Sequence, residues 1–289
     1  MTTAWAEFLQ RFSSPALDAV AFVITGLGSE IFYTIALPLI YWVWNKRWGY
    51  RLGVVFLFSA YLNSAAKLAF HTPRPPASGN VRVIHPETGG GYAFPSGHAQ
   101  GTTVSWGWMG LEIRRRWFYV VSVLVILAVS LSRIYLNVHW PIDVVGGILI
   151  GLFLILVWRL IFGKYDEQKW PLPARAAFSI IAPLALYLLH HTEDVHKILG
   201  LLAGMSLGRL LEDVKLGWSE SAPWNIQILK IVTGMAGFFA LRLGLKAILP
   251  EMDIFELFRY FCIGMWVSFG APYLWKKLGW ERTVVRTRL

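Results

Sequence analysis

Charge is scarce in this chain of 289 residues: 15% are Asp, Glu, Lys or Arg, while 56% are hydrophobic. Soluble globular domains carry roughly 25% charged residues, so the deficit excludes a well-solvated surface for a chain of this length. Cysteine is nearly absent. Cys262 stands alone in an apolar stretch, which excludes an intramolecular disulfide and a Cys-based metal centre. Acidic residues number 17 against 27 Lys and Arg, a net charge of +10. The basic residues fall in short groups between apolar stretches and form no continuous basic face. That pattern belongs to loops beside anionic lipid headgroups and argues against a nucleic-acid partner. The opening Met1–Phe12 also lacks the basic start and short apolar core of a cleavable leader. The first membrane helix is therefore expected to act as an uncleaved signal. No internal repeat and no low-complexity tract interrupts the chain.

What is abundant is apolar length. Segments near 15–28, 30–44, 50–70, 97–113, 117–133, 141–162, 176–190, 195–209, 226–248 and 255–275 approach the roughly 20 residues that cross a bilayer as a helix. The expected fold is all-α, a polytopic transmembrane helical bundle of about ten hydrophobic segments. Fifteen Trp and eleven Tyr suit membrane interfaces. The first two segments and the eighth are short, as re-entrant, kinked or neighbour-supported helices are. With ten crossings, eighteen Lys and Arg fall on one side and six on the other. The positive-inside bias then puts both termini and the Arg114–Arg116 run in the cytoplasm. It puts the Phe94–Gly101 segment on the periplasmic, extracellular or lumenal face. Residues 1–165 read as a catalytic membrane core and 166–289 as additional transmembrane helices.

Three polar islands break the apolar pattern, and alternating crossings bring them to one face. The first holds Lys67 and Arg74, seven apart. The second is Pro95-Ser96-Gly97-His98 at the entrance to the fourth segment. The third holds Ser132, Arg133, His139 and Asp143 between the fifth and sixth. Lys67, Arg74 and Arg133 offer three fixed positive charges, and Arg can grip phosphate oxygens with a bidentate fork. Ser96 suits the cap of a helix starting at Gly97, whose unpaired N–H groups and partial positive charge favour an anion. Gly97 allows close backbone approach. His139 and Asp143 lie one helical turn apart, with Pro141 suited to the first turn. A carboxylate bonded to one ring nitrogen fixes the tautomer and leaves the other nitrogen as a nucleophile. His98, across the cradle, is placed to protonate a leaving oxygen and deprotonate water. Glu87 and Asp143 are the only carboxylates in the islands or in the loop joining the first two, too few for a two-metal site. No metal and no cofactor is expected.

Lys67-x₆-Arg74-Pro75, Pro95-Ser96-Gly97-His98 and Ser132-Arg133-x₅-His139-x₃-Asp143 together resemble the three-part signature of the type 2 phosphatidic acid phosphatase (PAP2) superfamily. The resemblance covers roughly residues 50–160 and fills every signature position. It implies a six-helix catalytic core and a metal-independent phosphatase with a phosphohistidine intermediate. His139 would be the nucleophile, Asp143 its orienting partner and His98 the acid/base group. Lys67, Arg74, Ser96, Gly97 and Arg133 would hold the phosphate. An apolar-tailed substrate entering from the bilayer, of phosphatidate, sphingoid-base or polyprenyl type, is the first reading. Glucose-6-phosphatase-like hydrolysis of a soluble ester and a phosphate-binding transporter without turnover are the alternatives.

Each island also has a plainer reading. Lys67 and Arg74 can be snorkelling cations at a helix end, and His139 with Asp143 a structural pair. All three holding together by chance, at this spacing, is the weaker account. His71 and His85 read as loop residues, and the His190–His196 stretch as a solvated loop before a metal patch. Arg242 and Arg259 either pair with Glu256 or Asp253 or snorkel. The Gly146–Gly151 run fits close helix contact, favouring internal packing while leaving a homodimer open.

Overall fold

A computed structural model describes residues 2–79, 81–162 and 167–281. Lys164, Arg282, Arg286 and Arg288, counted in the charge tally, lie outside the described residues, as does the expected boundary at 165/166. The described residues are helical with no named strand. They form α1 (Ala4–Gln10), α2 (Pro15–Gly26), α3 (Glu30–Leu39), α4 (Lys46–Phe70), α5 (Gly97–Ile113), α6 (Arg116–Tyr135) and α7 (Pro141–Phe162). Then follow α8 (Leu172–Leu189), α9 (Glu193–Leu211), α10 (Trp224–Ile248), α11 (Asp253–Met265) and α12 (Ala271–Lys277). The chain divides into two compact units, Met1–Thr34 with Phe58–Tyr165, and Ile35–Leu57 with Asp166–Leu289.

Helices occupy all ten expected positions, but among the described residues six are long and apolar enough to cross a membrane. A seventh span arises if α2 and the helix through Glu30–Trp44, bent by 47° at their break, count as one. The chain is thus an integral membrane protein. The ten apolar segments therefore need not be ten crossings: the first two lie in one apolar region, 16–43, broken by Gly26, Gly28 and Ser29. Helices α5 and α9 are of a different kind. Most of α5 from Ala99 to Ser105 is buried, and α9 buries Val195, His196 and most residues from Leu199 to Leu210. Both carry Gly, Ser or Thr where lipid-facing helices carry Leu and Ile.

In the first unit, local chemistry sets where helices begin. Ser14 caps α2 by accepting from Leu17 N–H at 3.2 Å, and Pro15 takes the first helical position. Ser96 caps α5, accepting from Ala99 N–H at 3.4 Å. Helices α5 and α7 meet through glycine. A Cβ on Gly147 would lie 2.6 Å from the Ser96 carbonyl, and one on Gly151 2.8 Å from Thr103 Cβ. Gly146 lies against the Phe94 ring. The Gly146–Gly151 run thus serves packing within the unit.

The long connection from His71 to Ser96 is stitched to its surroundings. Trp140 Nε1 donates to the Pro73 carbonyl at 2.8 Å, Ala93 N–H to Thr72 at 2.8 Å and Ile84 N–H to Leu136 at 2.9 Å. His85 stacks on Phe22 at 4.3 Å and pairs with Glu87 at 2.9 Å, while His71 lies edge-on to Tyr92. Gln10 Nε2 donates to the carbonyls of Arg82 (2.9 Å) and Tyr135 (2.8 Å), and Arg82 pairs with Asp18. Helix α1 and the start of α2 therefore lie at the same end of the unit as this loop and the close of α6. The expected N-terminus across the membrane from the Phe94–Gly101 segment counts α2 and α3 as two crossings. Counted as one broken span, they would bring the N-terminus to the same side as that segment.

The second unit packs around Tyr41, Trp42, Trp218, Phe238, Ile263, Val267 and Trp275. Gly200, Gly204 and Gly208, four apart on α9, lie against α11 and the turn after it, with Gly264 answering from α11. Buried Glu212 receives Lys46 and Arg209, and Asp213 receives Arg209 and Arg175. Arg259 pairs with Glu256 at 2.9 Å, one of the expected partners. His196 is buried, 3.5 Å from Asp253. Among the described residues no three His, Cys, Asp or Glu side chains gather as a metal site.

Candidate active site

The reactive geometry starts from the turn between α6 and α7. Tyr135 ends α6, Pro141 opens α7, and His139 sits buried between them. Its Nδ1 faces Asp143 Oδ2 at 3.4 Å, across one helical turn. That oxygen also accepts from Trp140 N–H at 2.8 Å, which fixes the carboxylate. On the other side of the ring, Arg74 Nη1 approaches His139 Nε2 at 3.2 Å. A guanidinium can only donate, so Nε2 is the bare nitrogen and Nδ1 carries the proton toward Asp143. This is the tautomer a nucleophile needs.

Burial and the charges of Arg133, Arg74 and Lys67 hold the His139 imidazole well below the usual histidine range. A buried imidazolium among three cations loses solvation and meets repulsion, so the neutral ring is favoured. His98 adds its own repulsion, as a neighbour does.

The remaining sequence-predicted residues surround this ring. Ser96 is buried at the start of α5, and its N–H donates to the Asp143 carbonyl at 2.9 Å. The second and third islands are thus joined by backbone. Gly97 lies against Asn63, whose Oδ1 would be 3.2 Å from a Cβ there. His98 occupies the first turn of α5. Lys67 is half-buried in the last turn of α4. Arg133 is fully buried near the end of α6. Arg74 reaches the site from the loop, its other donors taken by the carbonyls of Val138, Gly90, Gly91 and Tyr92.

Several supporting residues escape a reading of the sequence. Asn63 Nδ2 donates to the Pro95 carbonyl (3.2 Å) and to Gln100 Oε1 (2.8 Å), and Gln100 Nε2 donates to Ser59. This buried chain ties α4 to the Pro95–His98 turn. Asn63 stands one turn before Lys67 on the same helix, a faint signal available in the sequence. Thr25 and Thr88 bond to Arg133, and nothing local marks either. Phe70, exposed and one turn beyond Lys67, meets Phe94 edge-on at 4.9 Å. It sets apolar rings beside the polar cradle.

Residues 48–167 match the PAP2 superfamily, and residues 196–283 match the PAP2 superfamily phosphatase, transmembrane extension. Lipid phosphate phosphatase delta of Arabidopsis thaliana is 25% identical over 55% of this chain and 42% of its own length. Sphingosine-1-phosphate phosphatase 1 of Rattus norvegicus is 33% identical over 50% of this chain and 34% of its own. A dihydrosphingosine 1-phosphate phosphatase of Schizosaccharomyces pombe is 24% identical over 91% of this chain and 64% of its own. The chain spans less than half the length of the first two relatives. With its three polar islands gathered at one end of a helical membrane unit, and both the domain and its extension matched, the chain belongs to the PAP2 superfamily.

Proposed function

We propose that this protein is a metal-independent membrane phosphatase that hydrolyses a phosphate or pyrophosphate ester of a lipid through a phosphohistidine intermediate. The observation that carries the reading is the His139 ring, bare at Nε2 beside Arg74 and held at Nδ1 by Asp143. In the first step the Nε2 lone pair forms a bond to phosphorus, the ester P–O bond breaks, and the leaving oxygen takes a proton from His98. Phosphate bound among Lys67, Arg74 and Arg133 supplies the negative charge that favours a proton on His98. The ring becomes cationic as Nε2 bonds phosphorus, and the Asp143 carboxylate stabilises that charge. In the second step His98 takes a proton from water, whose oxygen attacks phosphorus. The N–P bond breaks and its electron pair returns to Nε2. Such proton transfers typically contribute ~10²–10⁴-fold, and the three cations oppose charge growing on the phosphoryl oxygens.

A lipid substrate is favoured by the setting. The cradle lies where helix ends meet a loop in an integral membrane protein, and Phe70 and Phe94 offer an apolar stem a surface next to it. The names of the relatives point to lipid phosphates, and two of them to sphingoid-base phosphates. The Lys and Arg bias supports a site on the non-cytoplasmic face.

The test is phosphate release by the purified protein in detergent and excess EDTA. Substrates are sphingosine phosphate, phosphatidate, undecaprenyl pyrophosphate and glucose 6-phosphate, with His139→Ala as background. Release from a lipid, unchanged by EDTA and lost in the variant, is expected. Release from glucose 6-phosphate alone would overturn the lipid reading, and loss on chelation the metal-free one.

A further inference from the structure

Arg133 is a fully buried cation with neutral partners. Its Nη1 donates to Thr25 Oγ1 at 2.7 Å and to Thr88 Oγ1 at 3.1 Å, and its Nη2 to the Thr88 carbonyl at 2.7 Å. Among the described residues no carboxylate pairs with it, and its buried Nε has no hydrogen-bond partner. A guanidinium is a rigid plane of five N–H donors. Holding both terminal nitrogens fixes that plane and leaves the Nε edge for a ligand. A buried charge without a counter-ion is costly, so the edge calls for an anion.

Thr25 comes from α2, outside the residues 48–167 matched to the superfamily domain. One turn further on, Gly28 lies so close to α5 and α6 that a Cβ would meet Thr102 Oγ1 and Val129 Cγ1 at 2.9 Å and His98 Cβ at 3.2 Å. The break after α2 is therefore pressed against the helix that bears His98. Tyr33 extends the same contact, its hydroxyl lying 3.3 Å from Thr102 Oγ1. Thr25 is itself buried.

We infer that Thr25 is a positioning residue of the phosphate cradle, holding the far edge of the Arg133 guanidinium so that Nε is presented to a phosphoryl oxygen. Helix α2 thereby completes a site whose signature residues all lie downstream. The inference deepens the proposed phosphatase reading and rests on it.

Thr25→Val keeps the shape and removes the acceptor, and Thr25→Ser restores it. In the full-length protein, KM and kcat for the preferred lipid phosphate, Ki for inorganic phosphate, and the rise in melting temperature given by phosphate are compared with wild type. A hydrogen bond to a charged group suggests a rise in KM and Ki of roughly tenfold for Thr25→Val. Thr25→Ser is expected within about twofold of wild type on the same scale. Thr25→Ala carries the valine prediction if that variant does not fold. Wild-type Ki in Thr25→Val, or a serine variant as weak as the valine one, overturns the role of Thr25. Phosphate that stabilises wild type while no ester is hydrolysed overturns the phosphatase reading instead, and the melting series still reports on Thr25.

Discussion

His139 has a different neighbour at each ring nitrogen, and that asymmetry sets the expected pH behaviour. Histidine ordinarily titrates near ~6.5, but burial and three nearby cations hold this ring neutral well below that. As the proposed nucleophile, His139 should therefore stay active as pH falls through the usual histidine range. In the profile of kcat/KM, which reports the free enzyme, the acid limb belonging to His139 lies below pH ~6.5. Arg74→Gln removes a repelling charge, so that limb should move upward. A limb that stays put, or moves down, contradicts the electrostatic account. Phe70 invites a second comparison. Phe70→Ala should raise KM severalfold for a long-chain lipid phosphate and leave a short soluble phosphate ester nearly unaffected. An equal effect on both would remove Phe70 from the tail contact. The residues proposed to react stand out in the sequence because their pattern is local: His139 and Asp143 are one turn apart, and Ser96 and Gly97 mark a helix start. Thr25 does not, because it meets Arg133 across 108 residues of chain. Asn63 and Gln100 were hidden for the same reason, since a buried amide reads in sequence like any polar residue of a helix.

Glycine decides which helices approach one another. The Cβ of Gly147→Ala would press on the Ser96 carbonyl, which belongs to backbone and cannot swing away. Overpacking of this kind costs about 1–3 kcal/mol, and here the displaced atom belongs to the turn bearing His98. Gly147→Ala should lower both activity and melting temperature. Gly244→Ala, where open space surrounds the position, should leave both near wild type. Equal effects at the two sites would show that helix propensity, not contact, governs. Most helix positions could be read from the sequence: α5 spans 97–113 as expected, and α6 and α10 extend the expected segments by one or two residues. The crossing count could not. Apolar length marks α2 and α3 as two segments, but their relative direction, a 47° bend across a short break, is not written in hydropathy. Similarly, α9 keeps its ends polar and its contact face glycine, so hydropathy underrates how deeply it is buried.

At the scale of the molecule, counting α2 and the helix through Glu30–Trp44 as one broken span would carry the N-terminal segment to the site-bearing side. Arg11 then moves with it, and the bias in Lys and Arg becomes seventeen against seven, still favouring the same orientation. In a Cys262→Ala background, Thr3→Cys and Ser78→Cys should react with an impermeant maleimide from the same side of sealed vesicles. Arg115→Cys should react only from the other. Thr3→Cys labelled together with Arg115→Cys would contradict this placement. The central claim is chemical and has a direct measurement: rapid quenching of the purified protein with substrate labelled in its phosphate. Wild type should trap an acid-labile, alkali-stable phosphoryl group on the protein, and His139→Ala should trap none and release no phosphate. Steady turnover with no trapped phosphoryl group, or the same label in the folded His139→Ala variant, would contradict the account.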